Sequence, residues 1–268
     1  MDQLPTKKAL VRIGKAIAAG AVTDEQLDQL DALLAWCDDV QARATERLNQ
    51  VLPTFEHRSG DALAARGRAK TLITLREKLV RMGGHQLPVI RDLAGLRIVG
   101  DLTLDEQDRL LPFACGALGV APGEYKVIDR RAEPIQGYRA LHADFLLEGV
   151  RVELQIRTLL QHQWAEVYER AGDRFGRVIR YEATPVSQPG ASRVEASMIV
   201  ELMQRASPLI AEVEGTRRLE LLKAEQVIAD STTGKPVDLG AILAGAEARR
   251  QELSSILQGL GALLDQLG

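Results

Sequence analysis

Between Arg68 and Arg157 the chain strings together four groups of side chains suited to handling phosphate. The stretch VRVELQIRT, residues 150–158, sets Arg151, Glu153, Gln155 and Arg157 in alternation with Val150, Val152, Leu154 and Ile156. That is the period-2 pattern of a half-buried strand. Flanking cations keep a carboxylate ionised, so Glu153 is a candidate general base. Upstream, GRAKTLITLREK carries Arg68, Lys70, Thr74 and Lys78. Positions 70, 74 and 78 share one face if the segment is helical, and cations with a hydroxyl on one face can grip a triphosphate. Asp92 and Arg97 flank a glycine at the entry to a strand, where a carboxylate beside phosphate-binding cations suits Mg2+. Gly137, Tyr138, Arg139 and His142 form the fourth group. An aromatic ring beside a flexible glycine can stack on a purine, worth roughly 1–3 kcal/mol per base.

Each group also has an ordinary structural reading. These are a solvated basic helix, a surface ion pair at a turn, a core tyrosine with a hydrogen-bonded histidine, and a charged solvent face. The four together, in this order, are the sharper signal.

The elements that must position these groups read as a mixed α+β chain. Short β-like runs are LRIVGDL, EYKVID, HADFLLE and VRVELQI, the last two joined by a tight turn at Glu148-Gly149. A helix-like LDEQDRLLPFACGALG separates the first two runs. The segment RGRAKTLITLREKLVRMGG, from residue 66, reads as a basic amphipathic helix stopped by two glycines. Ahead of it, Thr23 with Gln26 predicts a capping box. Leu27, Leu30, Leu34, Cys37, Ala44, Leu48 and Val51 then make an apolar stripe running to Pro53. Trp164, on the segment after the VELQI strand, reads as a core anchor. After a Pro/Ser/Gly linker, EATPVSQPGAS, two helical stretches are expected over 192–230 and 238–267, the second strongly apolar. The expected organisation is an N-terminal helical region (1–60), a sheet domain (61–182) and a C-terminal helical extension (183–268).

The net charge of −3 makes the chain no polycation, so any nucleic-acid contact must come from a local patch. Arg170, Arg174, Arg177 and Arg180 are the candidates for one. The two cysteines lie far apart, which argues against a disulfide scaffold or zinc site and for a reducing cytosol. Arg12, Gly14 and Lys15 break the one apolar N-terminal stretch, and no run nears the roughly 18 apolar residues of a membrane span. A cytoplasmic protein with no membrane contact is expected.

IRDLAGLRIV, GYRALH and VELQIRTLLQHQWAE resemble the synthetase domain of the RelA/SpoT family over roughly residues 60–180. The resemblance implies a nucleotidyltransferase-like fold, a mixed sheet flanked by helices. It implies transfer of pyrophosphate from ATP to the 3′-hydroxyl of GDP or GTP, giving ppGpp and pppGpp. Arg68 and Arg97 would sandwich the adenine, and Lys70, Thr74 and Lys78 would hold the phosphates. Asp92 would bind Mg2+, with Glu153 as a second ligand or as the base, supported by Gln155 and Arg157. Tyr138 would stack on the guanine, near His142. The chain departs from the family pattern in DRRAEPIQGY, which lacks an Asn-Pro-Lys run, so Arg130 or Arg131 would replace that lysine. His162 stands where some members carry Asn or Asp near the guanine.

No His-Asp pair of the family's hydrolase half occurs, so a stand-alone small synthetase is expected. Its terminal helices could serve a homo-oligomer or an antitoxin. Other acceptors remain open, namely the tRNA 3′ end or adenosine nucleotides, as does a non-catalytic nucleotide sensor.

Overall fold

The computed structural model describes residues 5–69, 75–76, 78–80, 87–88, 90, 93–176, 179, 193–230 and 239–266. Two helices lead, α1 (Lys7–Ala19) and α2 (Asp24–Val51), the second closed by a single 3-10 turn at Leu52–Thr54. The predicted capping box at Thr23 and Gln26 starts α2. Five strands follow: β1 (Ala64–Ala69), β2 (Ala94–Gly100), β3 (Lys126–Asp129), β4 (Leu141–Leu147) and β5 (Val150–Thr158). Helix α3 (Leu104–Ala117) lies between β2 and β3, and α4 (Leu159–Phe175) leaves β5 directly. Two long helices, α5 (Arg193–Asp230) and α6 (Leu239–Gln266), complete the chain. None of the described helices is long and apolar enough to cross a membrane.

The strands form one mixed sheet in the order β1-β2-β5-β4-β3. β2 and β5 pair in parallel at its centre, and the other neighbours are antiparallel. Alternation gives the sheet one apolar and one polar face. Leu96, Ile98, Val152, Leu154, Ile156, Ala143 and Phe145 turn to the apolar face and pack with α2 and α3 in one core. That core is where the stripe of α2 is spent: Leu30, Cys37, Ala44 and Leu48 are all buried in it. A second cluster joins α4, α5 and α6 around Trp164, Phe175, Met203 and Leu257. Trp164 is 1% exposed, the anchor expected of it, and its indole N–H donates to the Met203 carbonyl at 2.7 Å.

One element differs from its sequence reading. Residues 64–69 are a strand, whereas helix was expected from residue 66. Alanine and arginine favour helix locally, but pairing with β2 overrides that propensity. The free edge of β1 is then covered by α2. The Asn49 amide accepts from Ala65 N–H at 2.7 Å and donates to Ala65 C=O at 3.1 Å. Gln41, in its satisfied orientation, pairs with the N–H and C=O of Arg68 at 3.2 Å each. A Cβ on Gly67 would run into the Gln41 side chain and displace its amide from Arg68. Leu75, Arg76 and Lys78–Val80 are helical, while Lys70 and Thr74 lie outside the described residues, as does Asp92.

Candidate active site

The polar face is organised by register. Pairing aligns Arg68, Gly95, Glu153, Asp144 and Lys126 in one row across all five strands. The next row holds Arg66, Arg97, Gln155, His142 and Ile128. Side chains in a row share a face, so the carboxylates of Glu153 and Asp144 come together with cations on both outer strands. Gly95 puts no side chain of its own between Arg68 and Glu153, which stand two strands or about 10 Å apart.

Glu153 is held from two sides. Gln155 Nε2 donates to its Oε2 at 2.7 Å, and His142 Nδ1 stands 3.3 Å from its Oε1. Arg157 Nη2 donates to Gln155 Oε1 at 2.9 Å and to the Tyr138 hydroxyl at 3.0 Å. That hydroxyl lies 2.8 Å from His142 Nε2. With Tyr138 as donor to Nε2, Nδ1 carries the hydrogen facing Glu153, and the ring of contacts closes. Burial raises the Tyr138 pKa against the pull of Arg157, so the phenol keeps its proton.

The charged face is therefore no plain solvent surface. Arg157 is 2% exposed, and its Nε and Nη1 have no partner among the described residues. Its guanidinium lies 5.1 Å from the centre of the Tyr138 ring.

On the β1–β2 side, α4 supplies carboxylates. Arg68 donates to Glu169 at 2.9 Å and Arg97 to Glu166 at 3.2 Å, with Glu169 also 3.9 Å from Arg97. Burial opposes ionisation of Glu169, yet Arg68, Arg157 and Arg97 together hold its pKa below the ordinary value. Burial lowers the Arg97 pKa, helped by Arg157. Burial also lowers that of His162, with Arg157 and Arg97 adding to it against Glu166.

The structure thus brings Arg68, Arg97, Tyr138, His142, Glu153, Gln155, Arg157 and His162 to one region. Arg131 is committed elsewhere, to Asp129 at 2.7 Å and Asp108 at 2.5 Å, which ties β3 to α3. The Arg130 side chain makes no hydrogen bond or ion pair among the described residues. Arg170 is paired with Asp265 of α6 at 2.8 Å, and Arg177 and Arg180 lie outside the described residues.

Sequence reasoning missed Asp144, Glu166 and Glu169. The alternation in LHADFLL carried the signal for Asp144, because it sits two residues from His142. The helical spacing of Glu166 and Glu169 carried none about which strand they would meet. An open depression of about 630 Å3 adjoins the row at Asp144, Lys126 and Arg151, a volume in the range of small-molecule sites.

The donor set suits a hard cation. Mg2+ needs one or two carboxylates and completes its shell with phosphate oxygens and water. Glu153 and Asp144, adjacent in register, answer that description.

Comparison with known proteins gives three findings. The region found in RelA/SpoT proteins matches residues 67–171. Uncharacterized proteins of Mycobacterium bovis and Mycobacterium tuberculosis are 37% identical over 210 residues, covering 77% of this chain and 73% of theirs. Among solved structures, the small alarmone synthetase 1 of Bacillus subtilis bound to its product pppGpp is 21% identical. It covers 70% of this chain and 97% of its own, with a TM-score of 0.49. The same enzyme bound to AMPCPP is 19% identical over 73% of this chain and 98% of its own, also at 0.49.

Proposed function

The chain belongs to the RelA/SpoT family, and from that premise we propose that it is a (p)ppGpp synthetase. It moves pyrophosphate from ATP to the 3′-hydroxyl of GDP or GTP. The observation that carries this reading is the constellation around Glu153, a carboxylate held by Gln155 and His142 in the same row of the sheet as Arg68.

In this reading Arg68 and Arg97 stack on the adenine, as guanidinium planes do on aromatic faces. The Glu166 and Glu169 carboxylates keep the two guanidinium groups in place before ATP arrives. Lys70, Thr74 and Lys78 hold the donor phosphates. Tyr138 and His142 face the acceptor, with His162 beside them. Arg130 is the more available of the two loop arginines for the acceptor's 5′-phosphates.

A ribose hydroxyl is a poor nucleophile near neutral pH. Glu153 takes its proton as the 3′-oxygen bonds to the β-phosphorus of ATP. The bond from that phosphorus to the α-phosphate oxygen breaks, and AMP leaves with the electron pair. Asp92 and Glu153 would hold Mg2+, with Asp144 beside Glu153 in register, and the ion would supply positive charge against the phosphates. Arg157 and Gln155 keep Glu153 aimed.

The test is transfer of label from γ-labelled ATP in the presence of Mg2+. Separate tubes hold GDP, GTP, AMP, ADP or deacylated tRNA. Label on GDP or GTP is the expected outcome. Label on tRNA or an adenosine nucleotide alone refutes the acceptor assignment, and label on nothing refutes the transferase.

A further inference from the structure

Helix α5 lies outside the region matched to the family, yet it grips the segment that carries Tyr138. Ile135–Tyr138 is a tight turn, closed by Tyr138 N–H donating to Ile135 C=O at 2.9 Å. Its two central residues have positive φ, 51° at Gln136 and 85° at Gly137. That is the type I′ pattern, in which Gln136 pays a left-handed cost that glycine or asparagine largely avoids.

Three contacts from α5 hold the turn. Gln204 Nε2 donates to Gln136 Oε1 at 2.9 Å. Arg139 Nε donates to Ser207 Oγ at 2.9 Å. A Cβ on Gly137 would lie 2.9 Å from the Trp164 ring and 3.2 Å from Ser207 Cβ, so turn, indole and helix are in close packing. Ser207 itself is 1% exposed. The ring of Tyr138, the last residue of the turn, packs on the cluster of α4, α5 and α6.

We infer that Gln204 and Ser207 of α5 are positioning residues for the acceptor subsite, fixing the strained Gln136-Gly137 turn so that Tyr138 is presented beside His142 and Arg157. The C-terminal extension is then a working part of the acceptor side, while the ion pairs of Arg68 and Arg97 on the donor side are made with α4. The inference rests on the transferase reading for its functional half only.

The experiment compares the full-length protein with the Gln204→Ala/Ser207→Ala double variant in two measurements. Amide exchange at Tyr138 reads the clasp itself. Steady-state transfer reads KM for acceptor and for ATP separately. The expected result is faster exchange at Tyr138, acceptor KM raised about tenfold, the order expected for two lost hydrogen bonds, and ATP KM unchanged. A merely structural weakening would move both KM values or kcat together. Unchanged exchange overturns the clasp whatever the activity. Faster exchange with unchanged acceptor KM overturns the positioning role. A wild-type protein that labels no acceptor refutes the transferase reading and the functional half with it, while exchange still decides the clasp.

Discussion

Replacing Glu153 by glutamine separates its chemistry from its place in the network. The carboxylate accepts from Gln155 Nε2 at 2.7 Å, and a glutamine oxygen can take the same hydrogen bond. The new amide would face His142 Nδ1, now 3.3 Å from Oε1, and a change of imidazole tautomer lets that nitrogen accept. Side-chain volume is kept, so the structural cost stays within about 1 kcal/mol, one neutral hydrogen bond. What is lost is the proton acceptor. General-base catalysis is worth about 100- to 10,000-fold, or roughly 2.7–5.4 kcal/mol at 1.36 kcal/mol per decade.

The assay is single-turnover transfer with enzyme in excess and both nucleotides saturating, so that product release does not mask the chemical step. ATP affinity is measured separately by equilibrium dialysis. The variant should lose transfer by about 100-fold or more, with ATP affinity and melting temperature close to wild type. A Glu153→Gln protein within about tenfold of wild type would show that the proton leaves by another route and would sink the assignment.

Other outcomes follow from the packing. Burial raises the Glu214 pKa against the pull of Thr158 and Gln161, so the folded state binds this proton more tightly than the unfolded chain. Stability therefore falls as pH rises from the unfolded carboxylate range through the raised folded value. Glu214→Gln should raise the urea midpoint at pH 8 and barely change it at pH 4; equal shifts at both would contradict this. Arg131→Met severs β3 from α3 and should cost roughly 1.5–3 kcal/mol in urea unfolding, the range for hydrogen bonds to charged groups. A variant of wild-type stability that loses only acceptor affinity would return Arg131 to the phosphate role. Cys37 and Cys115 are buried, and burial pushes their thiols up to about 11 and about 12. Their reaction with a thiol reagent at pH 8 should track unfolding, and a fast stoichiometric reaction in native buffer would refute the packing of both.

Much of this arrangement is legible in the chain because strand alternation is a local signal. VRVELQIRT gives its own faces, and Thr158, the last residue of β5, is also the N-cap of α4 through a capping box with Gln161. The extents of α5 and α6 were readable to within a residue or two from the linker and the apolar stripe. The strand at Ala64–Ala69 was not, because its residues prefer helix and its pairing partner lies some thirty positions downstream. The burial of Arg157 was illegible for a related reason. Alternation places it on the polar side, but only the packing of Tyr138 and the helical cluster decides that this side is covered. The grip of α5 on the Gln136-Gly137 turn joins residues 68 positions apart and leaves no periodic trace.

The single-residue joint at Thr158 sets what lengths of chain this protein can tolerate. From Val150 to Phe175 strand and helix run on without a loop to absorb a change. Deleting one residue within β5 would carry Leu154 onto the charged face and Glu153 into the apolar core. Deleting one just after the joint would turn α4 by about 100°, taking Glu166 and Glu169 away from Arg97 and Arg68. Substitutions can accumulate along this run, but insertions and deletions have no harmless place in it. In a library of random length variants, survivors with a residue inserted or deleted between Val150 and Phe175 should be missing.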